Sequence, residues 1–574
     1  MSPYPGGVHS HRADGAPTFF VGLIHAIRAT LVLAAIAWLA AMRLGVASAA
    51  EASEATDRRT VTVTTTDGVR LATDVWLPSG TGPFPTILAR TPYNRESAAS
   101  FGRDGSRRGY AVVVQDTRGR YGSDGENLPF HRDGPDGAET LIWIRRQPWS
   151  NGRVGTWGGS AGAITQFQLA GMRDQPLDAQ FLVVGAPNLR EVVYTGGVFR
   201  KSLVEDWIRI TRFASNALSI WESHPAYDAY WKERDASRAY RSVHAAAVHV
   251  GGWWDIFAQS TIDAFVGYQD QGGRGARGKQ KLVMGPWAHA VLRDTSGQLT
   301  FPDAKNPPGD TEDAWRWFDR TLRDLDNGAD RDPAVRYYVV GDVSDPASPG
   351  NRWRTSDVWP PPGARPTRFY LGSDRSLSTT PPPSRNAESL AYVYHPTNPV
   401  PTVGGIQLTL PAGPMDQRSI EARDDVLVFD SPVLEHPLEV TGRVRAELWV
   451  ASDAPDTDFF VRLCDVYPDG RSFNLCEGML RARFRSGPDR ERFLVPDRPT
   501  RLALDLWSTS VVFNKGHRLR VHVTSSSSPG FDPNPNTGAP FRSDTAVRPA
   551  RNRVFVDARR PSHLVLPVHT IPQP

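Results

Sequence analysis

The chain has almost no cysteine, only Cys464 and Cys476 in 574 residues. That excludes a disulfide-dense scaffold and a cysteine-built metal centre. No group of His, Cys, Asp and Glu has metal-ligand spacing, and no glycine-rich loop has the phosphate-cradling pattern. The sequence therefore implies no metal and no cofactor. Charge of one sign is also lacking: 66 Lys plus Arg against 62 Asp plus Glu leave a formal charge of +4. No basic run is interleaved with aromatics, which excludes nucleic acid as a partner. The apolar run from Ala29 to Met42 falls short of the ~20 residues that span a bilayer.

That short run has a context. His11, Arg12 and Arg28 precede it, and Arg43 and Ala47-Ser48-Ala49-Ala50 follow. A positive region, a short apolar region and a small-residue site read as a secretory signal cleaved near Ala49/Ala50, giving a secreted or periplasmic protein with no membrane contact after cleavage. The alternative is an uncleaved membrane anchor, because the apolar stretch Phe19 to Ile27 can extend the segment past Arg28. In an exported chain Cys464 and Cys476 can pair. Pro468-Asp469-Gly470 between them is a strong turn signal, and a hairpin there sets the two cysteines opposite each other within a residue of register. Two reduced, half-buried thiols are the alternative.

What is present in quantity is tryptophan (17), proline (48) and glycine (50). At this length two or three domains are expected. Thr60–Thr65 and Arg70–Trp76 alternate as paired strands around Asp67-Gly68. Pro85–Arg90, Gly109–Asp116 and Val154–Trp157 are short, strongly apolar strands, with a helical pattern over Gly134–Gln147 and another over Ala163–Ala170. That alternation is a parallel α/β sheet covered on both faces. Ala246–Val250 and Lys281–Met284 complete it. Between them and the preceding helix, Leu189 to Tyr240 is rich in aromatics and helix formers and reads as a helical lid. After Pro346 only short strands separated by Pro, Gly, Asn and Asp occur, which indicates an all-β sandwich or jelly roll. The chain thus divides into signal and linker (1–59), an α/β domain (60–345, insertion about 189–240) and a β domain (346–574).

The chemistry centres on Gly158-Gly159-Ser160-Ala161-Gly162. It fits G-x-S-x-G, the sharp strand-to-helix turn that lifts a nucleophilic serine above an α/β-hydrolase sheet. In that fold an acid and a histidine follow in chain order. Asp255, in Gly252-Trp253-Trp254-Asp255, and His289, in Gly285-Pro286-Trp287-Ala288-His289, each sit just past a strand's C-terminal end, where catalytic groups gather. Singly each has a plain reading: a turn serine, a helix-capping aspartate, a loop histidine. Together and in order they read as nucleophile, acid and base. Asp116, Arg118 and Asp124 read as loop-holding groups. Trp207 and Trp231 read chiefly as packing groups, and Trp254, Phe257 and Trp287 are candidates for the substrate pocket.

Further motifs carry a resemblance. They are Arg90-Thr91-Pro92-Tyr93, Gln115-Asp116-Thr117-Arg118-Gly119, Gln147-Pro148-Trp149-Ser150-Asn151-Gly152, Gly252 to Phe257, Gly285 to His289, Asn351-Arg352-Trp353-Arg354 and Asn534-Pro535-Asn536-Thr537-Gly538. In this order they resemble the CocE/NonD hydrolases, the family of cocaine esterase and the X-Pro dipeptidyl-peptidases. The resemblance implies Ser160, Asp255 and His289 as the triad, with the Tyr93 phenol and the Ala161 backbone N–H as the oxyanion hole. One departure stands out: relatives commonly carry an aromatic directly after the nucleophile, where this chain has Ala161, so one wall of the acyl pocket is smaller. The expected activity is hydrolysis of a small-molecule ester, or an amide, through an acyl-enzyme. Within the family the alternative is an X-Pro dipeptidyl-peptidase or α-amino-acid ester hydrolase, which needs carboxylates for the substrate ammonium; Glu191, Glu205, Asp206 and Glu222 in the lid are available. Outside it, the alternative is a non-catalytic exported protein whose β domain binds carbohydrate.

Overall fold

Strands that alternate faces and strands that are apolar throughout meet in one ten-stranded sheet. In the computed structural model, which describes residues 57–172, 176–383, 386–543 and 545–570, these strands are β1 (Asp57–Thr64), β2 (Arg70–Leu77), β3 (Phe84–Thr91), β4 (Ala111–Asp116), β5 (Ser150–Gly159), β6 (Ala179–Val183), β7 (Ala246–Gly252), β8 (Gln280–Gly285), β9 (Val335–Val339) and β10 (Arg352–Ser356). They lie in the order β1-β2-β4-β3-β5-β6-β7-β8-β9-β10. From β4 to β9 neighbours run parallel, and β1, β2 and β10 are antiparallel additions. β10 lies beyond residue 345, so the first sheet reaches past the point where the composition changes. The candidate signal segment falls outside the described residues. Among those residues no helix is long and apolar enough to cross a membrane.

β4 shows why the central strands are apolar throughout. Val112 and Val114 pack on one face with Phe101 of α1 (Ala99–Arg107). Ala111 and Val113 pack on the other face with Leu141 of α2 (Asp133–Arg145) and Phe167 of α3 (Ala161–Ala170). Both faces are covered, so neither can be polar. Between β6 and β7 the insertion holds α4 (Lys201–Thr211) and α5 (Ala217–Glu222), with the single turns Leu189–Val193 and Ala229–Glu233. α6 (Ala258–Gln271) follows β7, and α7 (Ala314–Arg323) joins α1 on the first face.

The second half is antiparallel β structure. An eight-stranded sheet is built on β11 (Leu438–Ser452). A four-stranded sheet holds β12 (Asp458–Val466) and β13 (Ser472–Arg481). One apolar core contains Leu448 and Val450 from the first sheet and Val461 and Leu463 from the second. Trp253, Trp254 and Tyr337 to Val340 of the α/β half join it, so the halves share a core.

The disulfide expectation is corrected here. The turn falls where Pro468-Asp469-Gly470 places it, with Gly470 at φ 86° and the Gly470 N–H bonded to the Tyr467 carbonyl at 2.9 Å. However, the register shifts between Leu463 and Cys464, so Cys476 faces Leu463 while Cys464 faces Asn474. Both cysteines are free and buried. In neither register do the two meet: level with Leu463, Cys476 is already one residue out of step with Cys464, and one step along a strand turns a side chain to the opposite face.

Candidate active site

The strand-to-helix turn holds Ser160 in a conformation few non-glycine residues adopt, φ 56° and ψ −122°. Such strain costs of order 1–3 kcal/mol and persists where the surroundings fix it. Here the Ser160 N–H donates to the Val183 carbonyl of β6 at 2.9 Å, and its own carbonyl accepts the Ala163 N–H at 2.9 Å. A side chain at Gly158 would bring a Cβ to 3.0 Å from the Gly162 carbonyl oxygen, so the crossing of β5 and α3 needs glycine there. At Gly162 the tightest contact of a Cβ is an ordinary 3.5 Å, to the Arg90 carbonyl. The close fit rests on the first glycine of the motif.

Ser160, Asp255 and His289 come together at the C-terminal edge of the sheet. His289 Nε2 lies 3.0 Å from Ser160 Oγ, and His289 Nδ1 lies 2.6 Å from Asp255 Oδ1. A carboxylate only accepts, so Nδ1 carries the proton and Nε2 is free to take the serine hydrogen. The other carboxylate oxygen of Asp255 accepts the Phe257 N–H at 3.1 Å, and the Phe257 ring meets the imidazole edge-on at 5.6 Å. All three residues are buried. That removes water from the hydrogen bonds and strengthens them.

Tyr93, two residues past β3, reaches the same point. Its hydroxyl accepts the Trp207 indole N–H at 3.0 Å and faces the Ser160 side chain and the Ala161 N–H. Burial pushes the phenol above its ordinary range, against hydrogen bonds from Trp207 and Ser160 that pull the other way. It therefore remains a neutral O–H donor at neutral pH. Ala161 begins α3, so its N–H has no partner inside the helix.

A pocket opens beside Ser160. Its walls are wholly apolar or aromatic, from Tyr93, Phe130, Ala161 and Ile164, the insertion residues Val192, Leu203, Val204, Trp207 and Trp221, then Ile256, Phe257 and Leu408. Phe257 and the small Ala161 are both among these walls. Trp254 and Trp287 are not in the pocket. Trp254 turns into the core between the halves, donates its indole N–H to the Asn474 carbonyl at 3.2 Å and stacks on Phe301. Trp287 folds back over its own turn: a Cβ at Gly285 would sit 2.3 Å from its ring, so that glycine exists to admit the indole. Leu408 was not foreseeable from sequence. It comes from a β-half loop that Arg200 pins by donating to the Ile406 carbonyl at 3.0 Å. Arg95 holds Asp116, Asp136 holds Arg118 and Arg70 holds Asp124, as loop-holding groups should be. No group of three or more His, Cys, Asp or Glu able to hold a metal occurs among the described residues.

Comparison with known proteins agrees with this architecture. The model of the X-Pro dipeptidyl-peptidase S15 family matches residues 67–217 and 209–291, and that of the X-Pro dipeptidyl-peptidase C-terminal non-catalytic domain matches 327–565. The cocaine esterase of Rhodococcus sp. (strain MB1 Bresler) is 32% identical over 568 residues, covering 88% of this chain and 96% of that one. An aminopeptidase from a marine sediment Thaumarchaeota archaeon superposes with a TM-score of 0.75 at 24% identity, over 92% of this chain and 100% of that one. An α-amino acid ester hydrolase does so with 0.74 at 23%, over 92% and 99%. These two show the shared fold: an α/β-hydrolase domain with a helical insertion and an all-β second domain. With a cocaine esterase matched along nearly its whole length, the chain belongs to the CocE/NonD family of serine hydrolases, which includes cocaine esterase and the X-Pro dipeptidyl-peptidases.

Proposed function

We propose that the protein is a carboxylic ester hydrolase whose acyl group is apolar. Ser160 Oγ attacks the ester carbonyl carbon while His289 Nε2 takes its proton, and Asp255 stabilises the imidazolium. The carbonyl oxygen becomes an oxyanion between the Tyr93 O–H and the Ala161 N–H. Collapse breaks the C–O bond, His289 returns the proton to the departing alcohol, and a water repeats the sequence to release the acid and free Ser160 Oγ.

What supports an ester over an Xaa-Pro amide is the absence of charge in the pocket lining. An α-ammonium entering it would lose its water without a counter-charge, which is costly. The lid carboxylates that could serve are engaged elsewhere. Arg542 pairs with Glu205, Glu222 and Asp532, Asp206 accepts from Arg209 and Thr409, and Glu191 pairs with Arg190. The test compares neutral acyl esters with Xaa-Pro anilides and α-amino-acid esters on the same preparation. The expected result is turnover of the neutral esters with little release from the ammonium-bearing substrates. Rapid release from the Xaa-Pro anilide alone contradicts the reading and restores the dipeptidyl-peptidase. On sequence grounds we also propose export, with a mature chain starting near Ala50; Edman sequencing of protein from the producing cell checks it, and a chain starting at Met1 contradicts it.

A further inference from the structure

Trp207 of α4 does more than wall the pocket. Its indole N–H points at the Tyr93 hydroxyl, 3.0 Å away. An indole nitrogen only donates, so the phenol oxygen is the acceptor in this bond and the single phenol hydrogen must go elsewhere. The Ser160 side chain and the Ala161 N–H also lie within reach of that oxygen, beside the pocket that Tyr93, Ser160 and Ala161 line together. The indole is itself held firmly. It stacks on Phe130 at 5.5 Å with 4° between planes, on Trp221 at 6.2 Å with 8°, and tilts against Phe213 at 5.0 Å. Tyr93 belongs to the sheet's edge and Trp207 to the inserted helix, so the bond joins two separately built parts of the protein.

We propose that Trp207 is the positioning residue of the oxyanion hole. Its N–H occupies one lone pair of the Tyr93 oxygen and aims the phenol hydrogen at the developing oxyanion. A donor on that oxygen also polarises the O–H, so the hydrogen bond to the oxyanion is stronger than an isolated phenol would make. The hole is complete only when α4 is seated, which ties closure of the insertion to the rate of the chemical step. The proposal rests on the reading of Ser160 as nucleophile and Tyr93 as oxyanion donor.

The experiment is a double-mutant cycle on a neutral ester. Tyr93→Phe lowers kcat by ~100- to 1000-fold, the usual effect of losing an oxyanion donor. Trp207→Phe keeps an aromatic in the stack and removes only the N–H, and it lowers kcat about 10-fold, the scale of one hydrogen bond, with KM little changed. The combined variant is no slower than Tyr93→Phe alone, because without the phenol hydrogen there is nothing to aim. Replacing Trp207 with 3-benzothienylalanine, which has the indole shape without the N–H, reproduces the Trp207→Phe effect and serves if the phenylalanine variant packs poorly. Full multiplication of the two losses, or a change in KM alone, overturns the positioning role. An unchanged kcat in Tyr93→Phe overturns the oxyanion assignment beneath it. A large loss in Tyr93→Phe with none in either Trp207 replacement sinks only the present inference.

Discussion

The apolar pocket beside Ser160 and the loop anchor of the β half are both buried, and they treat charge in opposite ways. The pocket lining holds none. The anchor is built from it: Arg481 pairs with Asp458 at 3.0 Å, Arg483 with Asp456 at 2.8 Å, and Asn534 donates to both carboxylates at 2.7 and 2.9 Å. That network holds the segment whose Phe541 packs on Tyr194 and Phe199 and whose Arg542 grips Glu205 and Glu222 on the lid helices. One half encloses an apolar chamber beside Ser160. The other uses buried ion pairs to fix a loop that grips the lid helices, and through a second loop it contributes Leu408 to the chamber.

Substitutions can break or sharpen this division. The largest effect falls on the α/β half. Asp255→Asn keeps the shape of the site but cannot hold the imidazole as its tautomer, so kcat falls by ~10⁴-fold with the fold retained. Steady-state kinetics and circular dichroism check the two parts of that statement. In the β half the expectation reverses. Asp458→Ala leaves Arg481 buried without its partner and costs about 3–5 kcal/mol of stability. Denaturant unfolding measures it, and the folded fraction keeps its kcat.

The pieces that were legible in the sequence are those whose signal is local. The turn at Ser160, the strand ends before Asp255 and His289, and the apolar strands of the sheet each occupy a few consecutive residues. The pocket walls do not. Leu203, Trp221 and Leu408 lie far apart in the chain and meet only through tertiary packing. Trp254 and Trp287 illustrate the limit from the other side. Nearness in sequence to Asp255 and His289 says nothing about the direction of a side chain, and both indoles turn into cores. The cysteines illustrate it again, because a register one residue out of step is enough to give the two thiols different partners.

A smaller effect tests where the halves meet in the pocket. Leu408→Ala enlarges the acyl chamber from the β side and raises the kcat/KM ratio of a bulky over a small acyl ester by about 10-fold, the scale of one or two methylenes. An unchanged ratio would remove Leu408 from the specificity wall. The smallest effect concerns pH. His517 lies between Asp465 at 2.8 Å and Asp342 at 3.3 Å. Burial lowers its affinity for a proton, but the hydrogen bond and charge of Asp465, with Asp342 behind it, outweigh that and leave the imidazole above its ordinary value. A raised folded-state value stabilises below the unfolded value of about 6.5, and that stability is lost as pH rises through the folded one. The stability gap between the protein and His517→Asn is therefore wider at pH 6 than at pH 9, which thermal melts at the two pH values measure.

The central claim is that Ser160 is an activated nucleophile in an intact, folded enzyme. A fluorophosphonate probe tests it most directly, followed by mass mapping of the adduct. Stoichiometric labelling of the peptide that carries Ser160 is expected, with none in Ser160→Ala. Folded protein that takes no label, or a Ser160→Ala variant that labels as well as the parent, would contradict it.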